Sequence, residues 1–388
     1  MGRGRPLGRH QAAISAMPSP APIVRIGTIT RVREFDGALR SPLRRWTRKE
    51  MLLVLLEDGN GAVGVGECWL DGGRAETLAA FIHKELAPQI VGQPAAPREF
   101  APRMLARAFA VGRGDIWHAA VSGADIAMWD LLGQQCGLPL YRLLGGNAGR
   151  APVYGSGGMY GQPPEALAAE AQGALAWAGG YKLKAGGASI GEDRARVAAV
   201  RDANPDARLI LDFMFAPDYA DALRRLRSVG EFDLACIETP TAIDDIEGWA
   251  SLHRLTGMPL SGPEIGAGLR MHRDYLAAGA VQVLQFDLSL CGGLSRGQDL
   301  AGLARAFARP FALHCAGSGI LFAASAQFAA ACSDVDSIER HLLHDDLFDR
   351  LIEAGYGFRD GAVYLPETSG LGLGELWREL GAPIWYRP

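Results

Sequence analysis

The sequence lacks the features that mark several common protein classes. Its six cysteines are scattered without a CxxC pair, which argues against a zinc site or a disulfide framework and favours a reduced, cytoplasmic protein. No apolar run approaches the roughly 20 residues needed to span a bilayer. A dinucleotide fingerprint, a phosphate-binding loop and a serine nucleophile elbow are also missing. The formal net charge is only −4, so nothing indicates a nucleic-acid or membrane partner.

The segment that begins the chain, MGRGRPLGRHQAAISAM, is rich in arginine and contains no acidic residue. A targeting peptide has a similar composition, but this segment has no apolar stretch of the secretory kind. We interpret residues 1–22 as a disordered tail or an extra start, with Met17 as the alternative initiator.

The 388 residues suffice for a large barrel and a smaller second domain. Residues 23–147 show strand patterns around the turn Asp58-Gly59-Asn60-Gly61 and then helical periodicity, which predicts an α+β domain. We expect a barrel over 148–363. The segment 364–388 leaves the barrel pattern and is expected to return to the first domain.

From residue 150 onwards, short apolar strands alternate with amphipathic helices, a pattern typical of a parallel sheet. Eight such units predict an α/β fold of the modified (β/α)₈ (TIM) barrel type. The predicted strands cover residues 153–158, 181–186, 208–214, 234–240, 259–264, 283–289, 311–316 and 337–341.

Ionisable side chains recur in phase with these strands, so that each strand–helix unit from the second strand onwards carries at least one. The carboxyl ends of barrel strands meet at one active site, whereas the packed interior is normally aliphatic. The recurring polar residues therefore predict an active site made of Lys182 and Lys184, Asp212, Glu238, Glu264, Asp287, His314 and Glu339.

Three carboxylates, Asp212, Glu238 and Glu264, come from three successive strands. Converging carboxylates repel one another unless a cation compensates them. An all-oxygen set suits Mg²⁺, with Mn²⁺ as a possible substitute, better than zinc. We interpret these residues as the metal ligands.

Lys182 and Lys184 share one face of their strand because side chains alternate. That face is the barrel interior, next to the predicted metal. We expect the cation to lower the pKa of both lysines, so that one acts as a base while the other binds an anionic substrate.

Asp287 and His314 lie on adjacent predicted strands, where an aspartate can fix the tautomer of a histidine and make it a general acid or base. A structural, hydrogen-bonded histidine is the alternative for this pair. The other histidines fall out of phase and are interpreted as surface or helix residues: His10, His83, His118, His253, His272, His341 and His344.

Together these motifs resemble the enolase superfamily, in its mandelate racemase-like (mandelate racemase/muconate lactonizing enzyme) branch. ADIAMWDLLGQQCGLPLYRLLGG is similar to the helix before the family's barrel, and KLK to its Lys-x-Lys motif. Asp212, Glu238 and Glu264 match its Mg²⁺ ligands, while FDLSLCGGLS and LHCAGSG match the strands of its Asp–His dyad. DGAVYLPETSGLGLG is similar to its closing segment.

The resemblance implies a shared first step, in which a base removes the proton α to a metal-bound carboxylate and an enediolate forms. Lys184 would be one base, and His314 with Asp287 the other catalyst. Lys182 would bind the carboxylate, and Glu339 would hydrogen-bond the enolate oxygen. The resemblance also implies a small-molecule carboxylate substrate and a homo-oligomer.

The chain departs from the family pattern at two points. Met214 replaces a common asparagine two residues after the first ligand, and Pro263 stands before Glu264 where glycine is more usual. We expect specificity to come from the capping-domain segments 39–50 and 68–77. Their candidate substrate residues, with Met214, are Arg44, Arg45, Trp46, Trp69 and Arg74.

The same residues support more than one reaction. Dehydration of an acid sugar to a 2-keto-3-deoxy acid is favoured by analogy with this branch. Racemisation or epimerisation of a 2-hydroxy or amino acid derivative is the alternative, and a non-catalytic carboxylate-binding homologue is the third. The complete set of ligands, lysines and dyad argues against the third.

Overall fold

The structure, a computed structural model, describes residues 20–387 with seven exceptions, and describes only the backbone at 36–39. The exceptions are residues 71, 74, 112, 113, 267, 344 and 345. Most of the predicted tail, the candidate Arg74, and His10 and His344 therefore lie outside the described residues.

A four-stranded antiparallel sheet opens the fold and takes its edge strand from the far end of the chain. The strands are β1 (Ile23–Arg40), β2 (Arg45–Asp58), β3 (Val63–Cys68) and β14 (Ile384–Trp385), in the order β14-β1-β2-β3. Asp58 ends β2 and its Oδ1 accepts N–H bonds from Asn60 and Ala62, which closes the turn. The last residues of the chain thus contact the first sheet.

Helices and a π-helical turn at Ile82–Leu86 cover one face of this sheet and lead to the barrel. The longest helix packs directly on β3, where a Cβ added at Gly66 would lie 2.1 Å from the carbonyl oxygen of Gly123. Only glycine permits this approach. The helices are α1 (Ala75–Phe81), α2 (Ala87–Ile90), α3 (Pro97–Ala106), α4 (Ala108–Val111), α5 (Asp115–Cys136) and α6 (Leu140–Leu143).

Eight parallel strands close into a barrel, which confirms the predicted fold class. β11 pairs with β4, so that the sheet has no gap. The ends of the strands lie within three residues of those predicted from the sequence. The strands are β4 (Arg150–Gly157), β5 (Tyr181–Lys184), β6 (Leu209–Asp212), β7 (Cys236–Glu238), β8 (Leu260–Glu264), β9 (Val283–Asp287), β10 (Phe311–His314) and β11 (Val335–His341).

Helices follow the strands and form the outer layer of the barrel. They are α7 (Pro164–Leu175), α8 (Ile190–Ala203), α9 (Tyr219–Val229), α10 (Ile246–Thr256), α11 (Leu269–Ala277), α12 (Gly293–Ala306), α13 (Gly319–Ala329) and α14 (Phe348–Glu353), with short 3₁₀ turns at Gly230–Phe232 and Leu376–Glu379.

A small hairpin follows the short helix α14. Its strands are β12 (Gly357–Arg359) and β13 (Ala362–Tyr364), and β13 pairs antiparallel with the start of β4.

Separate apolar cores lie between the barrel and its helices and between the first sheet and its helices. None of the helices in the described part of the chain combines the length and the apolar composition needed to cross a bilayer. The apolar side chains are therefore used in packing these layers, and the ionisable residues are concentrated at one end of the barrel.

Candidate active site at the barrel mouth

The residues predicted from strand spacing meet at the carboxyl end of the barrel. Lys184 lies beside Asp212 in register, Asp212 beside Glu238, and His314 beside Asp287. Each of these residues is at most 6% exposed, as are Lys182, Glu264 and Glu339. Eight ionisable groups thus share a small buried volume, an arrangement that costs free energy unless the charges compensate one another.

The two lysines compensate the carboxylates. Lys182 Nζ lies 2.5 Å from Glu238 Oε1 and 2.9 Å from Glu339 Oε1, and Lys184 Nζ donates to Asp212 Oδ2. Burial by itself lowers the pKa of each ammonium, but the neighbouring carboxylates more than offset it, and the pKa of both lysines is raised. Each amine pairs with an anion, which accounts for this direction, and the lowering expected beside a bound cation stays a prediction.

Asp212, Glu238 and Glu264 stand at the ends of adjacent strands, and their chemistry fits a hard divalent cation. Oε2 of Glu264 is buried and has no hydrogen-bond partner among the described residues. Burial, followed by the charges of Glu238 and Asp212, raises the pKa of Glu264 well above its usual range. A cation would relieve this repulsion.

The side chains do not yet enclose such an ion. Within the described ranges, no three His, Cys, Asp or Glu side chains are arranged to hold a metal. Two of the candidate ligands instead form ion pairs, Asp212 with Lys184 and Glu238 with Lys182. Ligation would require these two carboxylates to exchange a lysine for the cation.

Hydrogen bonds orient Asp212 from the opposite side. Its Oδ1 accepts the backbone N–H of Met214 at 2.8 Å and the hydroxyl of Thr239 at 2.9 Å. Met214 therefore contributes its backbone to the ligand, and Thr239 supplies a side-chain hydrogen bond to it. The sequence reasoning did not single out Thr239, although it directly follows the ligand Glu238.

The predicted dyad is formed. His314 Nδ1 lies 2.7 Å from Asp287 Oδ2, and a carboxylate only accepts, so Nδ1 carries the proton. Asp287 Oδ1 in turn accepts the Ser289 N–H at 2.7 Å. Burial lowers the pKa of His314, but Glu339 and then Asp287 outweigh it, and the pKa is raised above its ordinary value. His314 is thereby favoured as a proton donor.

Glu339 connects the two sides of the site. One oxygen contacts Lys182, and the other lies 3.6 Å from His314 Nε2 and accepts the Cys315 N–H at 3.1 Å. Burial raises its pKa, yet Lys182 and His314 hold the pKa of Glu339 well below the usual range. The carboxylate thus stabilises positive charge on both candidate catalysts.

A cavity of about 100 Å³ lies above these residues and is covered by the β1–β2 hairpin. Four predicted substrate residues line it: Arg44, Trp46, Trp69 and Met214. Arg45 is exposed on β2 and is not among the lining residues, so its predicted place in the pocket is wrong. The complete lining is Leu43, Arg44, Trp46, Lys49, Trp69, Lys184, Met214, Phe215, Glu264, Ile265, His314, Ala316 and His341.

The segment 39–50 is also not the loop that the sequence suggested. Only residues 41–44 turn, and the flanking residues belong to β1 and β2, whose long antiparallel ladder extends over the barrel mouth. Trp46 and Lys49 therefore face the cavity from a strand.

Two ionisable lining residues were missed. His341 was interpreted as a surface or helix residue, but it ends β11 and is 5% exposed. It stands two residues after Glu339 on the same face, so the alternation that singled out Lys182 and Lys184 would have found it. Lys49 gave no such signal, because it belongs to the other domain and donates to the Ala316 carbonyl across the interface.

A larger and more apolar cavity, of about 320 Å³, shares Trp69 with this one. Its other walls come from described residues between 70 and 78 and from the start of α5, and among the described lining residues only Asp115 is ionisable. We place the chemistry in the smaller cavity because Lys184, Glu264 and His314 line that one.

Comparison with known proteins agrees with this geometry. Residues 33–145 match the mandelate racemase/muconate lactonizing enzyme N-terminal domain, and residues 166–375 match the enolase C-terminal domain-like family. The chain therefore belongs to the mandelate racemase/muconate lactonizing enzyme family of the enolase superfamily, as the resemblance implied.

Individual relatives cover most of the chain. It is 26% identical to the arabinonate dehydratase of Saccharolobus solfataricus, over 83% of this chain and 87% of that protein. It is 32% identical to the 3,6-anhydro-α-L-galactonate cycloisomerase of Streptomyces coelicolor, over 66% of this chain and 72% of that protein. A racemase from Streptomyces coelicolor, solved with bound magnesium, superposes with a TM-score of 0.84 at 27% identity, covering 92% and 98% of the two chains.

Proposed function

We propose that this protein removes the proton α to the carboxylate of a small acid sugar and then eliminates the β-hydroxyl, giving a 2-keto-3-deoxy acid. The observation that carries the proposal is the pair of candidate proton carriers on different strands of one cavity. Lys184 ends β5 and His314 ends β10, and both border the space above the buried carboxylates.

Asp212, Glu238 and Glu264 would hold Mg²⁺, with Mn²⁺ as a substitute, supported by their oxygen-only donor set and the unpartnered Oε2 of Glu264. When bound, this cation would supply positive charge to the substrate carboxylate, and an Asp212 that ligates it would no longer pair with Lys184, which would favour the neutral amine. Lys182 does not line the cavity, and its proposed role is to add positive charge near the same carboxylate from its place between Glu238 and Glu339.

The reaction divides between the two proton carriers. Lys184 Nζ accepts the α-proton as the Cα–H bond breaks. The electron pair of the broken Cα–H bond moves into the carboxylate and gives an enediolate. His314 Nε2 then gives its proton to the β-hydroxyl, which leaves as water when the Cβ–O bond breaks. The enol that remains tautomerises: Cβ takes up a proton and the enol O–H gives one up, which leaves the 2-keto acid. The raised pKa of His314 favours the doubly protonated ring that this step requires.

Isomerisation is the second candidate, and the composition of the cavity wall favours it. Leu43, Trp46, Met214, Phe215 and Ile265 offer a substrate few hydrogen-bond partners in their side chains. A substrate with fewer hydroxyl groups than a sugar acid fits such a wall. In that case His314 returns a proton to Cα rather than to a leaving hydroxyl.

One experiment separates these outcomes. The purified protein is incubated with Mg²⁺ and a panel of aldonic and aldaric acids in D₂O, with semicarbazide absorbance for keto acids and proton NMR for the α-hydrogen. A 2-keto-3-deoxy product establishes the dehydratase and its substrate, whereas α-exchange without loss of water favours the isomerase. The proposal is contradicted if no acid gives either signal, or if full activity persists in excess EDTA.

A further inference from the structure

We propose that Glu67 is a positioning residue through which the capping domain places His314, while Lys184 is positioned from within the barrel. The inference rests on the proposed function for its kinetic consequence, but its structural consequence is independent of any substrate. Glu67 is the next-to-last residue of β3 and is 2% exposed. It does not line the catalytic cavity.

Glu67 binds the first turn of the helix that follows the His314 strand. Its carboxylate accepts the Ser318 N–H at 3.0 Å, the Ser318 hydroxyl at 2.6 Å and the Leu321 N–H at 3.2 Å. Free N–H groups and a positive dipole at a helix start make it a favourable place for a carboxylate. A residue of the capping domain thus completes the N-terminus of barrel helix α13.

Only the short loop from Cys315 to Ser318 joins His314 to this helix. A displacement of the start of the helix is therefore expected to displace His314 as well. The loop is shaped around Glu67, since a Cβ added at Gly317 would lie 2.7 Å from Glu67 Oε1. Lys49 holds the same loop at the Ala316 carbonyl. Both contacts come from the capping sheet.

The capping strand also contacts the dyad itself. Trp69 stands two residues after Glu67. Its backbone N–H donates to the carbonyl oxygen of Ser289 at 3.0 Å, in the loop that follows Asp287. Its ring lies 5.5 Å from the His314 ring, centroid to centroid. The segment from Glu67 to Trp69 therefore touches the loops after both dyad strands.

A second carboxylate repeats this arrangement at the neighbouring helix. Asp125, on capping helix α5, accepts the Ser295 N–H at 2.9 Å and the Ser295 hydroxyl at 2.6 Å, in the first turn of α12. The residue before this helix is Gly292, which has no side chain to cap it. Only a glycine at position 293 leaves space for the Asp125 carboxylate, because a Cβ there would lie 2.3 Å from Asp125 Oδ2.

Lys184 is held differently. Arg196, on barrel helix α8, donates to the carbonyl oxygens of Gly158 at 2.6 Å and of Lys184 at 3.4 Å. Asp193 of the same helix accepts the Gly186 N–H at 2.7 Å. The capping hairpin contacts this side at the Tyr160 N–H, which donates to the Arg40 carbonyl, but Arg196 and Asp193 hold the strand end itself.

The test compares Glu67→Gln with Arg196→Lys, one variant for each side. Hydrogen–deuterium exchange mass spectrometry is followed on peptides spanning 311–325 and 181–196. We expect Glu67→Gln to increase deuterium uptake in the first peptide alone, because glutamine keeps only one of the two acceptor oxygens and loses the negative charge that a helix start favours. Arg196→Lys should increase uptake in the second alone. Equal uptake in wild type and Glu67→Gln would overturn the inference.

The kinetic arm uses the acid found active with wild type, and measures α-deuterium incorporation and keto-acid formation together. In Glu67→Gln we expect the ratio of elimination to exchange to fall on the order of 10-fold, since small misplacements of a catalytic group are costly. In Arg196→Lys both rates should fall and the ratio should stay constant. If Glu67→Gln only reduced the amount of folded protein, α-deuterium incorporation and keto-acid formation would fall equally in that variant, as they do in Arg196→Lys. This result would contradict a positioning role for Glu67.

A third variant guards against misfolding of Glu67→Gln. Gly317→Ala keeps Glu67 but displaces it from the loop, and should reproduce the same change in uptake and in ratio. If wild type exchanges no α-hydrogen with any acid, the proposed function fails, and the deuterium uptake still decides the positioning role of Glu67.

Discussion

Lys184 and His314 border one cavity, yet different parts of the chain hold them. On the Lys184 side, the strand end, the helix that supports it and the paired Asp212 all belong to the barrel. On the His314 side, Glu67, Asp125, Lys49 and Trp69 reach in from the capping domain.

This difference matches a division of labour in the proposed reaction. Proton removal next to a carboxylate is the step common to the family, and its machinery is internal to the barrel. The fate of the enediolate depends on the second proton carrier. A capping domain that both lines the substrate cavity and positions His314 can change substrate and outcome together.

Lys184→Ala is expected to have the largest effect on the comparison between the Lys184 and His314 sides of the cavity. Without this amine the first step has no base, so α-exchange and product formation should both fall by about 10²- to 10⁴-fold. Deuterium incorporation and semicarbazide absorbance measure the two rates. Lys84→Ala, at an exposed lysine of the capping domain, is the matched control and should retain wild-type rates. Persistent exchange in Lys184→Ala would assign the base to another residue.

His314→Asn should separate the two steps. We expect product formation to fall by about 10²- to 10⁴-fold while α-exchange continues, because Lys184 is held without the help of His314. The same two assays measure this split. His253→Asn, on helix α10 and away from the cavity, controls for loss of an imidazole. Equal loss of both rates would mean that the two sides are not independent.

Thr239→Val sharpens the account of the barrel side. The valine keeps the shape but removes the hydroxyl that donates to Asp212 Oδ1. Loss of such a supporting hydrogen bond should weaken Mg²⁺ binding by about 10-fold or somewhat more, measured by isothermal titration calorimetry. Thr241→Val is the control, since Thr241 donates to the Pro217 carbonyl instead. Unchanged affinity in Thr239→Val would remove Asp212 from the metal site.

The last prediction concerns pH and the capping side. Burial raises the pKa of Asp125 from 3.8 to about 7, so the folded protein holds a proton there that the unfolded chain releases. This contribution to stability is fully present below about pH 4 and is lost as the pH rises through about 7. It amounts to at most about 4 kcal/mol.

Asp125→Asn should therefore lower stability at acidic pH and flatten the fall in stability between about pH 4 and pH 7. Denaturant titrations across this range measure the slope. Asp299→Asn, at a partly exposed carboxylate on the same helix that Asp125 caps, controls for loss of a charge. An unchanged slope in Asp125→Asn would show that Asp125 does not titrate between these limits.

Much of the site was predictable because the barrel is periodic. Each strand–helix unit brings one strand end to the mouth, and alternation within a strand fixes which residues face inward. Lys182, Lys184, the three carboxylates, the dyad and Glu339 therefore follow from position alone. His341 follows the same alternation from Glu339, but the alternation was not extended to that position. The pKa of the lysines was not predictable, since it depends on which charge each amine contacts.

The capping domain obeys no such period, and here the sequence identified only some of the residues that reach the site. Arg45 and Trp46 are neighbours in one strand, yet Trp46 lines the cavity and Arg45 does not. Lys49, Glu67 and Asp125 look like ordinary charged residues, because the groups that they bind belong to the barrel and lie far away in the chain.

The amino-acid sequence by itself determined the barrel, the set of ionisable residues at its mouth and the family, because local hydrophobic periodicity places strands and alternation orients their side chains. Only the tertiary structure decided which lysine pairs with which carboxylate, how the hairpin covers the cavity, and that Glu67 and Asp125 complete the barrel helices. These features depend on the docking of one domain on the other, and contacts between distant segments leave no regular pattern in the sequence.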